Sequence, residues 1–400
     1  MDRTYDIVLF GASGFTGALT AAYLAEAAGP DVRWAMAGRN RTKLQALGID
    51  VPILHADATD PASLAEIARQ ARVVVTTVGP YIRYGEPLVA ACAEAGTHYL
   101  DLTGEPEFVD RMYLRHDAAA ARSGAKLVHA CGFDSIPWDL GVLFTVEQLP
   151  EKVPLKVSGF LRARMAASGG TFHSAVSIIS RLRQGMEQAI QRRSAEPPPT
   201  GRRVSSQPGG LRYVGGWALP MPTVDPQIVG RSARLLDRYG PDFTYRQHFA
   251  FRRLPAALSA VAGATALLTL AQIPPARDWL LSRLQPGDGP TAEQRAGNWF
   301  KATFVGKGGG RRVVTQVEGG DPGYGETAKM LAESALCLAF DDVPDRAGQL
   351  TTASAMGRPL IDRLQRAGIT FTVLRNSGGA AAPDALKPRR TDVQPGLDTP

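Results

Sequence analysis

The sequence predicts an α/β protein, a doubly wound parallel sheet at the N-terminus followed by a second, α+β domain. Three observations carry this expectation. Between residues 5 and about 150, short β-rich runs alternate with helix-like segments, the rhythm of a parallel sheet covered on both faces. The first run, "DIVLF", feeds directly into three glycines spaced G-x-x-G-x-x-G, "GASGFTG". After Pro150 the alternation stops and longer, mixed segments take over. A chain of 400 residues is long enough for two cores, and two domains leave a cleft between them.

The strand expectations, in order, are "YDIVLF", "VRWAMAG", "VPILHAD", "RVVVTTVG", "THYLDLT" and "AKLVHACG". Between them "FTGALTAAYLAEAAG", "NRTKLQALG", "DPASLAEIARQ", "GEPLVAACAEAG" and "EPEFVDRMYLRHDAAAARSG" read as helices. This is the domain expected over 1–150. Over 151–345 an α+β substrate domain is expected. Its strand is "LKVSGFLRARM", its helix "TFHSAVSIISRLRQGMEQAIQ", and "NWFKATFVGKG" pairs antiparallel with "RRVVTQVEGG" around "GGGR", ahead of the helix "YGETAKMLAESALCLAF". Within it, Pro, Arg, Ser and Gly dominate 194–210, which reads as a flexible loop. Residues 346–375 are expected to pack back on the first domain, and 376–400 to be a disordered tail.

Residues 255–274, "PAALSAVAGATALLTLAQIP", carry no charge. Three readings stand: a buried helix or wall of an acyl tunnel, a monotopic membrane contact, or a span of barely sufficient length. Arg252, Arg253 and Arg277 flank the segment and suit a surface contact. The N-terminus lacks a basic region, apolar stretch and cleavage site in the order of a signal peptide, so a cytoplasmic protein is expected, with peripheral contact at the inner face of the plasma membrane as its one variant. Cys92, Cys131 and Cys337 are too few and scattered for a disulfide framework or metal site, and no metal is expected. The formal charge of +7 favours anionic partners. Nucleic acid is not expected, because no recognised binding motif or aromatic-basic interleaving accompanies the charge.

In the glycine loop, Gly11 suits the tight turn, Gly14 the close approach of backbone to a pyrophosphate, and Gly17 the packing of helix on sheet. Gly11, Ala12, Ser13, Gly14, Phe15, Thr16 and Gly17 are thus expected to cradle a dinucleotide at a helix N-terminus, the bland alternative being a merely tight turn. At the end of the second run, where an NAD-binding protein usually carries an acid, the sequence reads "AGRNRTKL". Arg39, Asn40 and Lys43 supply donors and charge for a 2′-phosphate, so NADPH is expected rather than NADH. Asp57 either binds adenine or caps the next helix.

The later strands end in "TTVGPYIRYGEP", "YLDLTGE" and "HACGFDSIPWDLG". Gly79 and Pro80 would let the chain pass close to the nicotinamide, with Cys131 and Gly132 on the same edge. Tyr81 is the leading proton donor, against the alternative of an aromatic packed under a loop. Asp134 is the second catalytic candidate, acting through water. Asp101, Glu105 and Ser135 converge on this edge too, and at least half of these polar groups are expected to be structural.

The set "GASGFTG", "AGRN..KL", "VGPY...GEPLVAACAEAGTHYLDLTGE" and "CGFDSIPWDLG", continued by "SGGTFHSA" and "GGDPGYGETAKMLAESAL", resembles the saccharopine dehydrogenase-like oxidoreductases. Within them it is most similar to the trans-acting enoyl reductases of polyketide wax-lipid biosynthesis. The resemblance implies a Rossmann domain, a mixed second domain, NADP(H), and reduction of a double bond on a polyketide held by the acyl carrier domain of a synthase. It also implies a lipid-like acyl substrate. The proline loop and the apolar segment depart from lysine-pathway saccharopine enzymes. Two other functions stay open: a saccharopine-type reaction on a secondary amine, which needs paired arginines, and a non-catalytic, membrane-associated NADP-binding scaffold.

Overall fold

The structure is a computed structural model that describes residues 3–164, 181–196, 201–208, 212–213, 216–221, 223–273, 275–276, 279 and 290–378. The motif "SGGTFHSA", the first turns of the helix expected from 171, Arg277 and the tail beyond 378 lie outside the described residues.

Six strands arise where the alternation predicts them: β1 Tyr5–Phe10, β2 Trp34–Gly38, β3 Ile53–His55, β4 Ala71–Thr76, β5 His98–Leu100 and β6 Lys126–Val128. After them come β7 Leu155–Arg164, β8 Arg203–Pro208, β9 Arg212–Tyr213, β10 Trp217–Pro220, β11 Asp242–Phe251, β12 Trp299–Gly308, β13 Arg311–Gly319, β14 Gly348–Leu350 and β15 Thr370–Gly378. The first sheet is parallel throughout, in the order β14-β6-β5-β4-β1-β2-β3. Its central strands are apolar at successive positions because both faces are covered. Ile7 and Leu9 enter one core, and Val8 and Phe10 the other.

The helices of the first part are α1 Phe15–Ala27, α2 Arg41–Gln45, α3 Pro61–Gln70, α4 Tyr81–Tyr84, α5 Glu86–Ala95, α6 Pro106–Ser123 and α7 Ile136–Val146. Those of the second are α8 Leu182–Ala195, α9 Asp225–Leu235, α10 Leu254–Gln272, α11 Ala292–Ala296, α12 Gly325–Phe340, α13 Thr352–Ala355 and α14 Gly357–Arg366. Helices α3, α5 and α6 cover one face of the first sheet. The other face is covered by α1 together with α12, so the chain returns to the first sheet before residue 346. Of the segment 346–375, β14 joins the first sheet and β15 the second.

The second sheet runs β15-β13-β12-β7-β11-β10-β9, with β8 also paired to β11. The hairpin expected around "GGGR" is β12–β13, in antiparallel register from Phe300–Gly319 to Gly308–Arg311. Part of the loop expected over 194–210 is instead the strand β8, in parallel register with β11 from Arg203–Asp242 to Pro208–Gln247. Helix α7 is buried along its whole length and packs on β7, β12 and β13. One apolar core therefore runs from β1 and β4 through α12 and α7 into the second sheet.

Candidate active site

The glycine turn is built by contacts no side chain would permit. Gly11 has φ +93°, and a Cβ there would lie 2.6 Å from Val78 Cγ2. At Gly17 a Cβ would lie 2.2 Å from the Gly11 carbonyl oxygen, so this glycine lets α1 settle against the turn. Gly14 differs. Its nearest would-be contact is 3.4 Å away, and it is exposed, like Ser13. Helix α1 begins at Phe15 with no side-chain cap, leaving a helix N-terminus turned to the surface beside a backbone that a pyrophosphate can approach. Ala12 is buried in the core, while Phe15 and Thr16 are partly exposed. The Phe15 ring meets Tyr324 edge-on at 4.7 Å, and the Arg295 guanidinium lies over its other side at 5.8 Å.

At the end of β2, Arg39, Asn40 and Lys43 are exposed. The Asn40 side chain accepts from the Lys43 amide at 2.9 Å and caps α2. Among the described residues Arg39 is held by a 4.0 Å approach to Asp57 alone, which leaves its guanidinium available to a phosphate. Asp57 does not cap α3. Its Oδ1 accepts from the Thr59 amide and hydroxyl, which holds its carboxyl below the usual range, while Asp60 caps the helix.

Gly79 is exposed at the end of β4 and Pro80 is partly so. Tyr81 is not a free acid. Its hydroxyl donates to the Thr76 carbonyl at 3.1 Å and accepts from the Leu102 amide at 3.2 Å, and burial, with Asp101 nearby, holds its pKa well above the ordinary value. The ring packs against Phe108 at 5.9 Å, so the role seen is the aromatic packed beneath the loop. Glu105 is structural as well, since its two oxygens accept from the Tyr81 and Ile82 amides.

Cys131 and Gly132 lie in a packed turn after β6. The Cys131 thiol is fully buried, and burial raises its pKa. Gly132 is needed for packing, because a Cβ would lie 2.7 Å from Leu102 Cδ2 and 3.0 Å from Thr327 Cγ2. The following amide, Phe133, donates to Thr327 Oγ1 at 3.2 Å. Ser135 is buried, and its side chain does not cap α7.

Asp134 remains open. It is exposed, one residue after this packed turn, and makes no hydrogen bond to a described residue. A Cβ on Gly104 would come within 3.2 Å of its Oδ2, so the ends of β5 and β6 meet here. The surrounding protein limits hydration of the carboxylate and pushes its pKa up to about 6.

One acid escaped the sequence reading. Asp225 opens α9, fully buried. Its Oδ2 accepts from Gln247 Nε2 at 2.8 Å and from the Thr223 hydroxyl, and its Oδ1 has no partner. Burial above all, and the nearby Asp134 charge, raise its pKa well above the usual range. A D-P dipeptide before a helix signals only a cap, hence the miss. Asp101, expected on the edge, instead binds His129 Nδ1 at 2.7 Å and the Tyr99 hydroxyl at 3.0 Å inside the core.

An open glycine turn, a basic group past β2 and an exposed carboxyl after β6 are the features of a dinucleotide-binding oxidoreductase fold. Residues 7–128 match the saccharopine dehydrogenase NADP-binding domain, and the open turn and exposed Arg39 fit that cofactor. The chain belongs to the family of trans-acting enoyl reductases. It is 38% identical to a Mycobacterium tuberculosis relative grouped by name with these enzymes, across 93% of this chain and 98% of that one. It is 36% identical to the trans-acting enoyl reductase of Mycobacterium ulcerans, again across 93% of this chain and 98% of the relative. Saccharopine dehydrogenase (L-Glu forming) from Saccharomyces cerevisiae shares the fold, with a TM-score of 0.56 and 11% identity over 93% of this chain and 100% of that one.

Proposed function

We propose that this chain is an NADPH-dependent, trans-acting enoyl reductase that saturates the α,β double bond of a polyketide or fatty acyl thioester carried by the acyl carrier domain of a synthase. The observation that carries the reading is Asp134, an exposed carboxyl without a hydrogen-bond partner among the described residues and with a pKa near 6, on the sheet edge where the dinucleotide turn opens. NADPH, when bound, supplies the hydride to the β carbon. The chain must then bind the thioester oxygen and protonate the α carbon. Asp134 delivers the proton directly or through one water. Burial and the Asp134 charge both oppose ionisation of the nearby Asp225. The exposed backbone at Gly79 is the donor to the thioester oxygen. The exposed Arg39, with Asn40 and Lys43, holds the 2′-phosphate.

The formal charge of +7 supports an acidic carrier as partner. Peripheral contact with the inner face of the plasma membrane belongs to the same reading. Incubation of carrier-bound enoyl thioesters with the protein and NADPH should add two mass units to the acyl group, measured by mass spectrometry of the carrier. A protein that leaves enoyl thioesters unchanged but oxidises saccharopine-like secondary amines refutes the reading.

A further inference from the structure

A helix that is apolar all round is ordinarily buried, and α10 is not. No charged residue occurs between Leu254 and Ala276, yet among the described side chains of α10 only Ala257 is buried. Leu258 is 58% exposed and Val261 46%, and Leu254, Leu270 and Ile273 are exposed with them. The helix touches the rest of the protein through β10 and β11 alone among the elements it packs on substantially. This overturns the buried-helix expectation for 255–274. Among the described residues no helix is long and apolar enough to cross a membrane.

What covers it is indicated by charge. Helix α10 leaves the end of β11, where Arg252 and Arg253 are exposed. On the neighbouring β7, Leu161 pairs with Phe249, so Arg162 and Arg164 arrive at the same end of the sheet. Arg162 and Arg252 are close enough that their charges repel, which adds to burial in lowering the Arg162 pKa. None of these four arginines has an acidic partner among the described residues. Glu318 is already held by Lys301 at 2.8 Å. Trp217 pairs with Phe251 in the sheet and Trp299 with Arg164, both half-buried, in the place where aromatic residues sit at a membrane surface. Anionic headgroups would neutralise the four arginines.

We infer that α10 lies in the plane of an anionic lipid surface, with its apolar side chains in the acyl region and Arg162, Arg164, Arg252 and Arg253 against the headgroups. This deepens the peripheral-contact part of the proposed function. Its readout is lipid binding, so it stands or falls separately from the reaction.

The full-length protein should float with phosphatidylglycerol vesicles and stay behind with phosphatidylcholine vesicles. The double variant Arg252→Glu/Arg253→Glu should lower partitioning onto phosphatidylglycerol by at least about twenty-five-fold, at roughly fivefold for each arginine removed from an anionic surface, before the repulsion of the two added carboxylates. Leu258→Glu/Val261→Glu should abolish flotation. Both positions are exposed, so melting temperature and NADPH binding should hold, and reduction of a soluble carrier substrate should be unchanged. Wild-type protein that ignores phosphatidylglycerol, or variants that float as well as it does, would overturn the inference. So would a wild-type dimer in light scattering that Leu258→Glu/Val261→Glu turns into a monomer without any lipid binding, since the cover would then be a second copy.

Discussion

Tyr81 and Asp134 follow strands of the same sheet, and their side chains have opposite fates. The Tyr81 hydroxyl ties the end of β4 to the backbone after β5; Asp134 ties nothing. Tyr81→Phe should therefore cost about 1–3 kcal/mol of stability by leaving a buried carbonyl and amide unmet, with turnover kept within about threefold. Asp134→Asn should lower kcat by about 10²–10⁴-fold with little change in NADPH affinity. Because Asp134 must be protonated to act, wild-type kcat should fall as pH rises through about 6, and the Asn variant should lose that inflection. The sign on stability is the same. A carboxyl whose pKa is higher folded than unfolded stabilises the fold below its unfolded value, and that contribution fades as pH climbs from about 4 towards 6. Stopped-flow rates and denaturant titrations across pH check the pair. A kcat loss larger for Tyr81→Phe than for Asp134→Asn would reverse the assignment. Sequence located both residues at strand ends, but the direction of the Tyr81 hydroxyl depends on the Leu102 amide 21 positions away, which local pattern does not encode.

The three glycines of the first turn looked equivalent as a motif, and the element they build separates them. Gly17→Ala drives a methyl into the Gly11 carbonyl, so the loss from overpacking, about 1–3 kcal/mol, should exceed the gain in helix propensity of about 1 kcal/mol. Gly14→Val meets little within the protein and should leave the melting temperature nearly unchanged while weakening NADPH binding at least tenfold. Melting curves beside cofactor titrations test both. A destabilised Gly14→Val or a fully stable Gly17→Ala would contradict the packing. The parallel strands were legible because each is a short apolar run bounded by turn residues. Strand β8 was not, since "RVSSQP" lacks an apolar run and owes its form to pairing beside β11. Helix α10 was legible as an apolar segment, but its exposure was not, because periodicity does not say whether neighbours exist to cover a face.

Across the whole molecule the two sheets are joined by more than apolar contact. The Tyr113 ring of α6 lies between two guanidinium groups, Arg192 of α8 at 4.6 Å and Arg231 of α9 at 4.5 Å. Arg192 donates to Asp110 at 2.6 Å and to Gln349 Oε1 at 3.1 Å, and Arg231 donates to the Gln349 carbonyl at 3.0 Å. Both arginines are buried. Asp110→Ala removes the nearer of the two carboxylates at Arg192, leaving Glu196 at 3.8 Å, and should cost up to about 3–5 kcal/mol, and adding Arg192→Met should recover most of it. Chemical denaturation measures both, and a single-variant loss under about 1 kcal/mol would mean the cluster is solvated. The sequence announced two halves, but this junction joins positions as distant as 110, 192 and 349, which no local pattern connects.

Gln349 sits on β14, and β14 forms the edge of the first sheet beside β6. The strand it accompanies is complete by Val128, yet the edge strand begins at Gly348, about 220 residues later in synthesis. At ribosomal rates of roughly 5–20 residues per second, the growing chain carries its nucleotide-binding sheet with one border unpaired for about ten seconds or more, an interval in which that border is the natural place for a chaperone to hold.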